Sequence, residues 1–216
     1  RLMLTVSSLD LFYGDAQALD GVSLEVPARQ IVAIVGANGA GKSSLIRSIA
    51  GMERPAAGRI VFEGRDIAGL ASHEVAALGI GQVAEGRQIF PTMSVADNLD
   101  LGAISSAARA KAAESLAYVY DRFPRLAERK RQAAGTLSGG EQQMLAIGRA
   151  LMTNPKLVVL DEATEGLAPL IRADIWSCLA KLKAEGEAII VIDKNVDALL
   201  PLADRHVVIE KGHVAW

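Results

Sequence analysis

The sequence contains little cysteine, histidine or aromatic residue, and each scarcity excludes a class of protein. Its single cysteine, Cys178, cannot form an internal disulfide, which excludes a disulfide-stabilised secreted scaffold. Its three histidines, His73, His206 and His213, lack the spacing of metal ligands, so we expect no histidine metal site. Aromatic residues make up only 4% of the chain, so we expect the few that occur to be mainly packing residues.

The sequence also lacks an excess of positive charge and any long hydrophobic run. With 23 Lys and Arg against 25 Asp and Glu, the formal net charge is -2, and we expect no nucleic-acid partner. Apolar runs such as Leu157 to Leu160 and Ala188 to Ile192 are far shorter than the roughly 20 residues that cross a bilayer. The first residues show no basic and apolar leader, so the sequence predicts no secretory signal.

What the chain does have is a set of short apolar runs that predict strands. Continuous runs rich in β-branched residues are typical of parallel strands buried on both faces. These runs are Ile31 to Val35, Leu157 to Leu160, Ala188 to Ile192 and His206 to Ile209. Shorter alternating patterns predict an antiparallel β layer instead. They occur at Leu2 to Tyr13, Gly21 to Pro27 and Arg59 to Glu63.

Residues 94–134 differ from the rest, being rich in Ala, Arg, Lys and Glu with periodic apolar positions, and they predict a helical insert. The predicted fold is therefore α/β, with a mostly parallel core sheet, an antiparallel β layer and an inserted helical subdomain. We expect one domain over 1–216. Residues 1–93 and 151–216 would form its core and β layer, and 94–150 its helical subdomain.

A phosphate-binding loop is predicted directly after the first buried run. Gly36, Gly41, Lys42 and Ser43 fit the spacing GxxxxGK[ST] between a strand and a helical pattern. In such a loop backbone N–H groups point at phosphate oxygens, lysine adds positive charge, and the serine hydroxyl is a ligand for Mg²⁺. An ordinary glycine-rich turn is the alternative. The predicted nucleotide-binding residues of the loop are Gly36, Ala37, Asn38, Gly39, Ala40, Gly41, Lys42, Ser43 and Ser44.

Two adjacent carboxylates end the apolar run at 157–160. Asp161 is predicted to join the Mg²⁺ shell, and Glu162 to polarise the water that attacks the terminal phosphate. Two solvated acids at the end of a strand are the alternative. Together with the loop, the pair predicts a nucleoside triphosphate hydrolase.

The segment 137–143, LSGGEQQ, narrows the choice of hydrolase. Ser138 and the amides of Gly139 and Gly140 would open a helix and form a second anion site, with a plain capped helix as the alternative. The segment resembles the signature of ATP-binding cassette proteins. This resemblance implies ATP and Mg²⁺ as cofactors and a second ATP-binding subunit as partner. It implies that Ser138, Gly139, Gly140 and Glu141 close over the partner's ATP.

The same resemblance extends over nearly the whole chain. Tyr13 resembles the aromatic residue that stacks on adenine, with packing in its strand as the alternative. The stretches IVGANGAGK, GRQIFP, FPRL, SGGEQQMLAIGRALM and EGLAP are similar to ATP-binding subunits of bacterial branched-chain amino acid importers. They imply transmembrane permease partners, a periplasmic substrate-binding protein and a place on the cytoplasmic face of the inner membrane. The permease contact is expected within 85–97.

Several other functions share these motifs. An ATPase for urea or short-chain amide import, or for lipid export, would differ only in its membrane partners. A soluble ATPase outside transport and a regulatory nucleotide binder are the alternatives from another class.

Two positions depart from the usual pattern of the superfamily. Glu85 replaces a glutamine that senses the terminal phosphate, and we expect it to join the Mg²⁺ shell through water, with a solvated loop acid as the alternative. Lys194 stands at the switch histidine or glutamine, and a lysine cannot accept a hydrogen bond. We therefore hypothesise that the chain binds ATP normally but hydrolyses it slowly.

Overall fold

Most strands begin and end close to the apolar runs that predict them. The computed structural model describes residues 1–216. The strands are β1 (Leu2–Tyr13), β2 (Ala16–Pro27), β3 (Ile31–Val35), β4 (Ala57–Phe62), β5 (Arg65–Asp66), β6 (Ile80–Val83), β7 (Leu157–Asp161), β8 (Ala188–Ile192), β9 (Arg205–Glu210) and β10 (His213–Val214). The helices are α1 (Lys42–Ile49), α2 (Ser72–Ala77), α3 (Val95–Asp100), α4 (Ser106–Ala110), α5 (Ala112–Arg122), α6 (Pro124–Glu128), α7 (Gly139–Leu151), α8 (Pro169–Glu185) and α9 (Val196–Leu202).

The predicted parallel sheet is confirmed and has six strands in the order β10-β9-β3-β8-β7-β6. All neighbours in it pair in parallel except β10, which is antiparallel to β9. The carboxyl ends of β3, β7 and β8 therefore lie at one edge of the sheet. Each of these three strands is followed by a segment that the sequence singles out for phosphate chemistry.

Strand β6 was not predicted from the sequence. It pairs in parallel with β7, from Ile80 opposite Leu157 to Val83 opposite Leu160. Its middle residues are a glycine and a glutamine, which interrupt the apolar run that identifies a buried strand. A Cβ atom at Gly81 would lie 3.1 Å from the side chain of Pro155, so close packing explains the glycine.

Both faces of the parallel sheet are covered, because successive residues of a strand point to opposite sides. Ile31 and Ala33 of β3 belong to a core shared with helices of the 94–151 region. Val32 and Ile34 belong to a second core, shared with the antiparallel sheet and α1. The loop after β3 is thus attached to a strand that is fixed from both sides.

The predicted antiparallel layer is also confirmed, as a four-stranded sheet in the order β2-β1-β4-β5. Strand β2 begins at Ala16 rather than at the predicted Gly21, because it continues through an irregular pairing with β1. Gly21 has a φ of 60° there, and its N–H donates to Asp10 at 2.7 Å. The β1–β2 hairpin places Tyr13 opposite Ala16, at the end of the sheet.

The predicted helical insert at 94–134 is confirmed, since α3 to α6 occupy it and α3, α5 and α6 pack on α7. The loop that leads into it is fixed by the buried Asn98. Its Nδ2 donates to the carbonyls of Phe90 and Ser94 at 3.0 Å, and its Oδ1 accepts from Phe90 N at 2.9 Å. None of the helices combines the length and apolar character that crossing a bilayer requires.

Candidate functional site

The loop between β3 and α1 depends on glycine at two positions. A Cβ atom at Gly36 would lie 2.2 Å from the carbonyl oxygen of Ile209, which no side chain permits. Gly41 has a φ of 108°, and a Cβ atom there would lie 2.7 Å from the carbonyl oxygen of Ala18. Because glycine has no Cβ atom, the backbone can pass this close to its neighbours and form a tight loop before α1 begins at Lys42.

Lys42 is directed into this loop and is almost buried, with 6% of its surface exposed. Its Nζ donates to the carbonyl oxygens of Gly36 and Ala37, both at 2.8 Å. These bonds partly satisfy the ammonium group, which carries three donors. A positive charge is therefore already fixed where a phosphate entering the loop would bind.

The loop borders an open pocket of about 300 Å³. Three residues from distant parts of the sequence reach the same pocket, namely Glu85, Glu162 and Lys194. Of the predicted loop residues, Gly36, Ala37 and Ala40 do not line the pocket wall. The full lining is Ala18, Asn38, Gly39, Gly41, Lys42, Ser43, Ser44, Glu85, Glu162 and Lys194.

Asp161, the last residue of β7, lies beside the loop and is 5% exposed. Burial raises the pKa of Asp161, while hydrogen bonding with Ser43 and the charge of Lys42 oppose that rise. Its Oδ1 is buried and has no hydrogen-bond partner. A buried carboxylate oxygen without a partner, next to a serine hydroxyl, fits a hard cation such as Mg²⁺.

Glu162 occupies a tight turn after β7. Its φ is 49°, an uncommon conformation for a residue with a side chain, and its N–H donates to Ile192 O at 2.8 Å. The turn is tied further by Thr164, whose hydroxyl donates to Asp193 Oδ2 at 2.6 Å. These bonds fix the backbone from which the Glu162 side chain enters the pocket.

The environment of Glu162 suits a proton acceptor. Burial raises its pKa, and a neighbouring carboxyl, Glu165, acts in the same direction, whereas Lys194 lowers it. A carboxylate with a raised pKa is a better general base near neutral pH. Glu85 is close as well, since carboxylate oxygens of Glu85, Glu162 and Glu165 all lie within 4.8 Å of one another.

Lys194 lies at the end of this acidic group. Its Nζ is 2.6 Å from Glu165 Oε1 and 3.3 Å from Glu162 Oε2. The hydrogen bond with Glu165 is the main reason that the pKa of Lys194 is raised. Sequence reasoning placed Lys194 at the switch but missed Glu165 as its partner. The only local signal was the position of Glu165, three residues after Glu162.

Tyr13 flanks the loop from the end of β1. Its side chain is exposed, and its hydroxyl lies 3.5 Å from Ser44 Oγ. That separation is long for a hydrogen bond between hydroxyls, so the contact is weak. The ring is accessible for stacking, which remains a prediction.

The LSGGE segment forms a capped helix start. Ser138 Oγ accepts from Glu141 N at 3.3 Å, and Glu141 Oε2 accepts from Ser138 N at 3.0 Å, which is a capping box. Glu141 is nearly buried and pairs with Arg129 at 3.1 Å. Residues 138–141 do not line the pocket of the phosphate loop. The structure thus keeps the two predicted anion sites of one chain apart.

The glycines of this segment allow close packing that the sequence did not reveal. A Cβ atom at Gly139 would lie 3.0 Å from the guanidinium of Arg87, and one at Gly140 would lie 2.6 Å from Ile171. Arg87 also donates to Gln142 Oε1 at 3.3 Å. Arg87 therefore links the loop after Glu85 to the start of α7.

Comparison with known proteins shows the family of the chain. The family model described as ABC transporter matches residues 19–165. The high-affinity branched-chain amino acid transport ATP-binding protein BraG of Pseudomonas aeruginosa is 43% identical over 212 residues, or 98% of this chain and 91% of BraG.

Solved structures are similar over nearly the whole chain. A nucleotide-free ATP-binding cassette from an ABC transporter has a TM-score of 0.91 at 31% identity, covering 100% of this chain and 90% of its own. The ADP conformation of another such cassette has a TM-score of 0.89 at 32% identity, covering 99% and 89%.

Proposed function

This chain is an ATP hydrolase of the ABC transporter family, and we propose that it powers the import of branched-chain amino acids. The observation that carries the proposal is the similarity to BraG, which extends over 98% of this chain and 91% of BraG. The chain's own pocket supplies the chemistry that the proposal needs. The cargo would be selected by other subunits.

In the proposed mechanism the loop binds the β and γ phosphates of ATP. Backbone N–H groups and the N-terminus of α1 face the phosphates, and Lys42 adds a full positive charge. Ser43 and Asp161 would hold Mg²⁺, with Glu85 joining through water. When bound, the metal neutralises charge on the phosphates. The orphaned Oδ1 of Asp161 supports this assignment.

We assign proton acceptance to Glu162. Glu162 lines the same pocket as Lys42, and the turn after β7 fixes its backbone. It would orient a water toward the γ phosphate and accept its proton. Tyr13, at the edge of the loop, would stack on the adenine.

A second ATP-binding subunit completes the proposed site. Because 138–141 lie outside the chain's own phosphate pocket, we propose that Ser138, Gly139, Gly140 and Glu141 close over ATP held by a partner chain. Each ATP would then be enclosed by two chains. Residues 94–150 would move as a helical subdomain that carries this segment.

The proposed permease contact is the segment 85–97, on the cytoplasmic face of the membrane. Phe90 is 50% exposed there, and the guanidinium of Arg149 lies 5.4 Å from its ring centre. Asn98 fixes the backbone on either side of this apolar side chain. Closure of two ATP-binding subunits would move this segment against the permease. A periplasmic substrate-binding protein would deliver the cargo.

Reconstitution of the chain in liposomes with its permease and binding protein tests the cargo. We expect leucine, isoleucine or valine to stimulate ATP hydrolysis and to accumulate inside, whereas urea and short-chain amides do neither. Stimulation by urea or an amide alone would replace the proposed cargo. ATP hydrolysis without uptake of any amino acid would contradict the import function.

A nucleotide binder with slow turnover is the second candidate function, favoured by the Lys194–Glu162 ion pair. Replacing Lys194 by glutamine is expected to raise kcat by about tenfold, equivalent to roughly 1.4 kcal/mol of barrier, because it removes the remaining 3.3 Å ion-pair contact with the Glu162 carboxylate. Steady-state ATP hydrolysis measures this, with Lys181→Gln as an exposed control. An unchanged rate would mean that position 194 is not a switch.

A further inference from the structure

Lys194 is shared unequally between two carboxylates. Its Nζ lies 2.6 Å from Glu165 Oε1 but 3.3 Å from Glu162 Oε2. The shorter distance makes Glu165 the principal partner. The ammonium is therefore within ion-pair distance of Glu162 but lies closer to Glu165.

The side chains of Lys194, Glu165 and Glu162 differ in their exposure to solvent. Lys194 and Glu165 are each 49% exposed, whereas the Glu162 side chain is only 10% exposed. The Glu162 backbone is also fixed by its bond to Ile192 O, and Glu165 N donates to Glu162 O at 3.2 Å. The turn therefore fixes the backbone of Glu162 and Glu165 relative to each other, while Lys194 reaches both carboxylates from the segment after β8.

Charge explains why the second carboxylate matters. Without Glu165, the nearest anion to the Lys194 ammonium would be Glu162. Because the Glu162 side chain is little exposed, solvent would screen this attraction only weakly. A Glu162 carboxylate held by Lys194 offers fewer free lone pairs to a water molecule. A second carboxylate on the solvent side would attract the Lys194 ammonium and weaken its contact with Glu162.

We propose that Glu165 is a positioning residue that draws the Lys194 ammonium away from Glu162 and so keeps the Glu162 carboxylate free to orient water. The proposal rests on the proposed function, because it takes Glu162 as the general base. Glu165 itself acts only through Lys194. The two residues lie in segments that follow neighbouring strands, β7 and β8.

Glu165→Gln tests the proposal in the purified chain with Mg²⁺ and ATP. We expect kcat to fall about fivefold with KM for ATP unchanged, because the ammonium then settles on Glu162 alone. Glu165→Asp keeps a carboxylate, and the flexible lysine can follow it, so kcat should stay within about twofold of the parent value. Glu165 and Lys194 are both half exposed, so we expect these variants to fold as the parent chain does, and thermal unfolding checks this. Glu128→Gln, an exposed acid without an ion pair, is the control.

The double variant decides whether the effect passes through Lys194. In a Lys194→Gln background, Glu165→Gln should leave kcat at the value of the Lys194→Gln single variant. A fall that persists without the lysine, an unchanged kcat in the single variant, or a raised kcat would each overturn the proposal.

A parallel Glu162→Gln measurement separates this proposal from the proposed function. If Glu162→Gln stops turnover and Glu165→Gln does not alter it, only the role of Glu165 fails. If Glu162→Gln retains normal turnover, the assignment of Glu162 as base fails and the role of Glu165 falls with it.

Discussion

Replacing Lys42 by alanine is expected to weaken ATP binding by about a hundredfold or more. Lys42 is 6% exposed, and two carbonyl oxygens hold its ammonium inside the phosphate loop. Its loss removes the only full positive charge within the loop and leaves those carbonyl oxygens directed at the incoming anion. Both changes act against the triphosphate, so the effect on affinity should be large.

Equilibrium titration with ATP and Mg²⁺ measures this effect. Lys111→Ala is a suitable control, because Lys111 is exposed and lies far along the chain in the helical insert. Thermal unfolding without nucleotide should show that the Lys42 variant remains folded. An ATP affinity equal to that of the parent chain would refute the assignment of the loop.

Replacing Glu162 by glutamine is expected to lower kcat by about a hundredfold or more while ATP binding is retained. Glutamine has the same shape but cannot accept the proton of the attacking water. The Glu162 turn is held by one backbone hydrogen bond to Ile192 and by the Thr164–Asp193 pair, so the backbone of the glutamine variant should keep the same conformation. An enzyme that binds ATP but cannot hydrolyse it should accumulate as an ATP-loaded dimer.

Two measurements check the Glu162 variant. Phosphate release reports turnover, and size-exclusion chromatography with ATP and Mg²⁺ reports the dimer, with Glu128→Gln as the control for a lost carboxylate. Turnover at the parent rate would remove Glu162 from the catalytic role. A variant that is inactive yet monomeric with ATP would contradict the proposed sandwich of two chains.

Local sequence patterns predicted the sheet well where the strands are continuous and apolar. Strands β3, β7 and β8 are buried on both faces, and such strands are recognisable from composition alone. Strand β6 escaped prediction because Gly81 and Gln82 interrupt its apolar run, although its end residues Ile80 and Val83 are buried in the core. The early start of β2 escaped because pairing with β1, rather than an alternating pattern of its own, extends the strand.

The candidate site likewise has parts that the sequence predicted and parts that it did not. The phosphate loop, the Asp161–Glu162 pair and the LSGGE segment were predicted because each is a run of adjacent residues whose spacing carries its chemistry. Their individual roles remain predictions until the variants are measured. The packing of Arg87 on Gly139 and of Ile171 on Gly140 had no signal in the sequence, because each joins segments that are distant along the chain.

By itself, the sequence predicted the α/β fold, the glycine-rich loop proposed to bind phosphate and the acidic residues at the end of β7. Only the tertiary structure decided that Lys194 pairs with Glu165, 29 positions away, and that both lie beside Glu162. The physical reason is the parallel pairing of β7 with β8, which brings the segments after both strands to the same edge of the sheet. A contact between residues at that edge depends on the order of the strands in the sheet, and no single stretch of the sequence specifies that order.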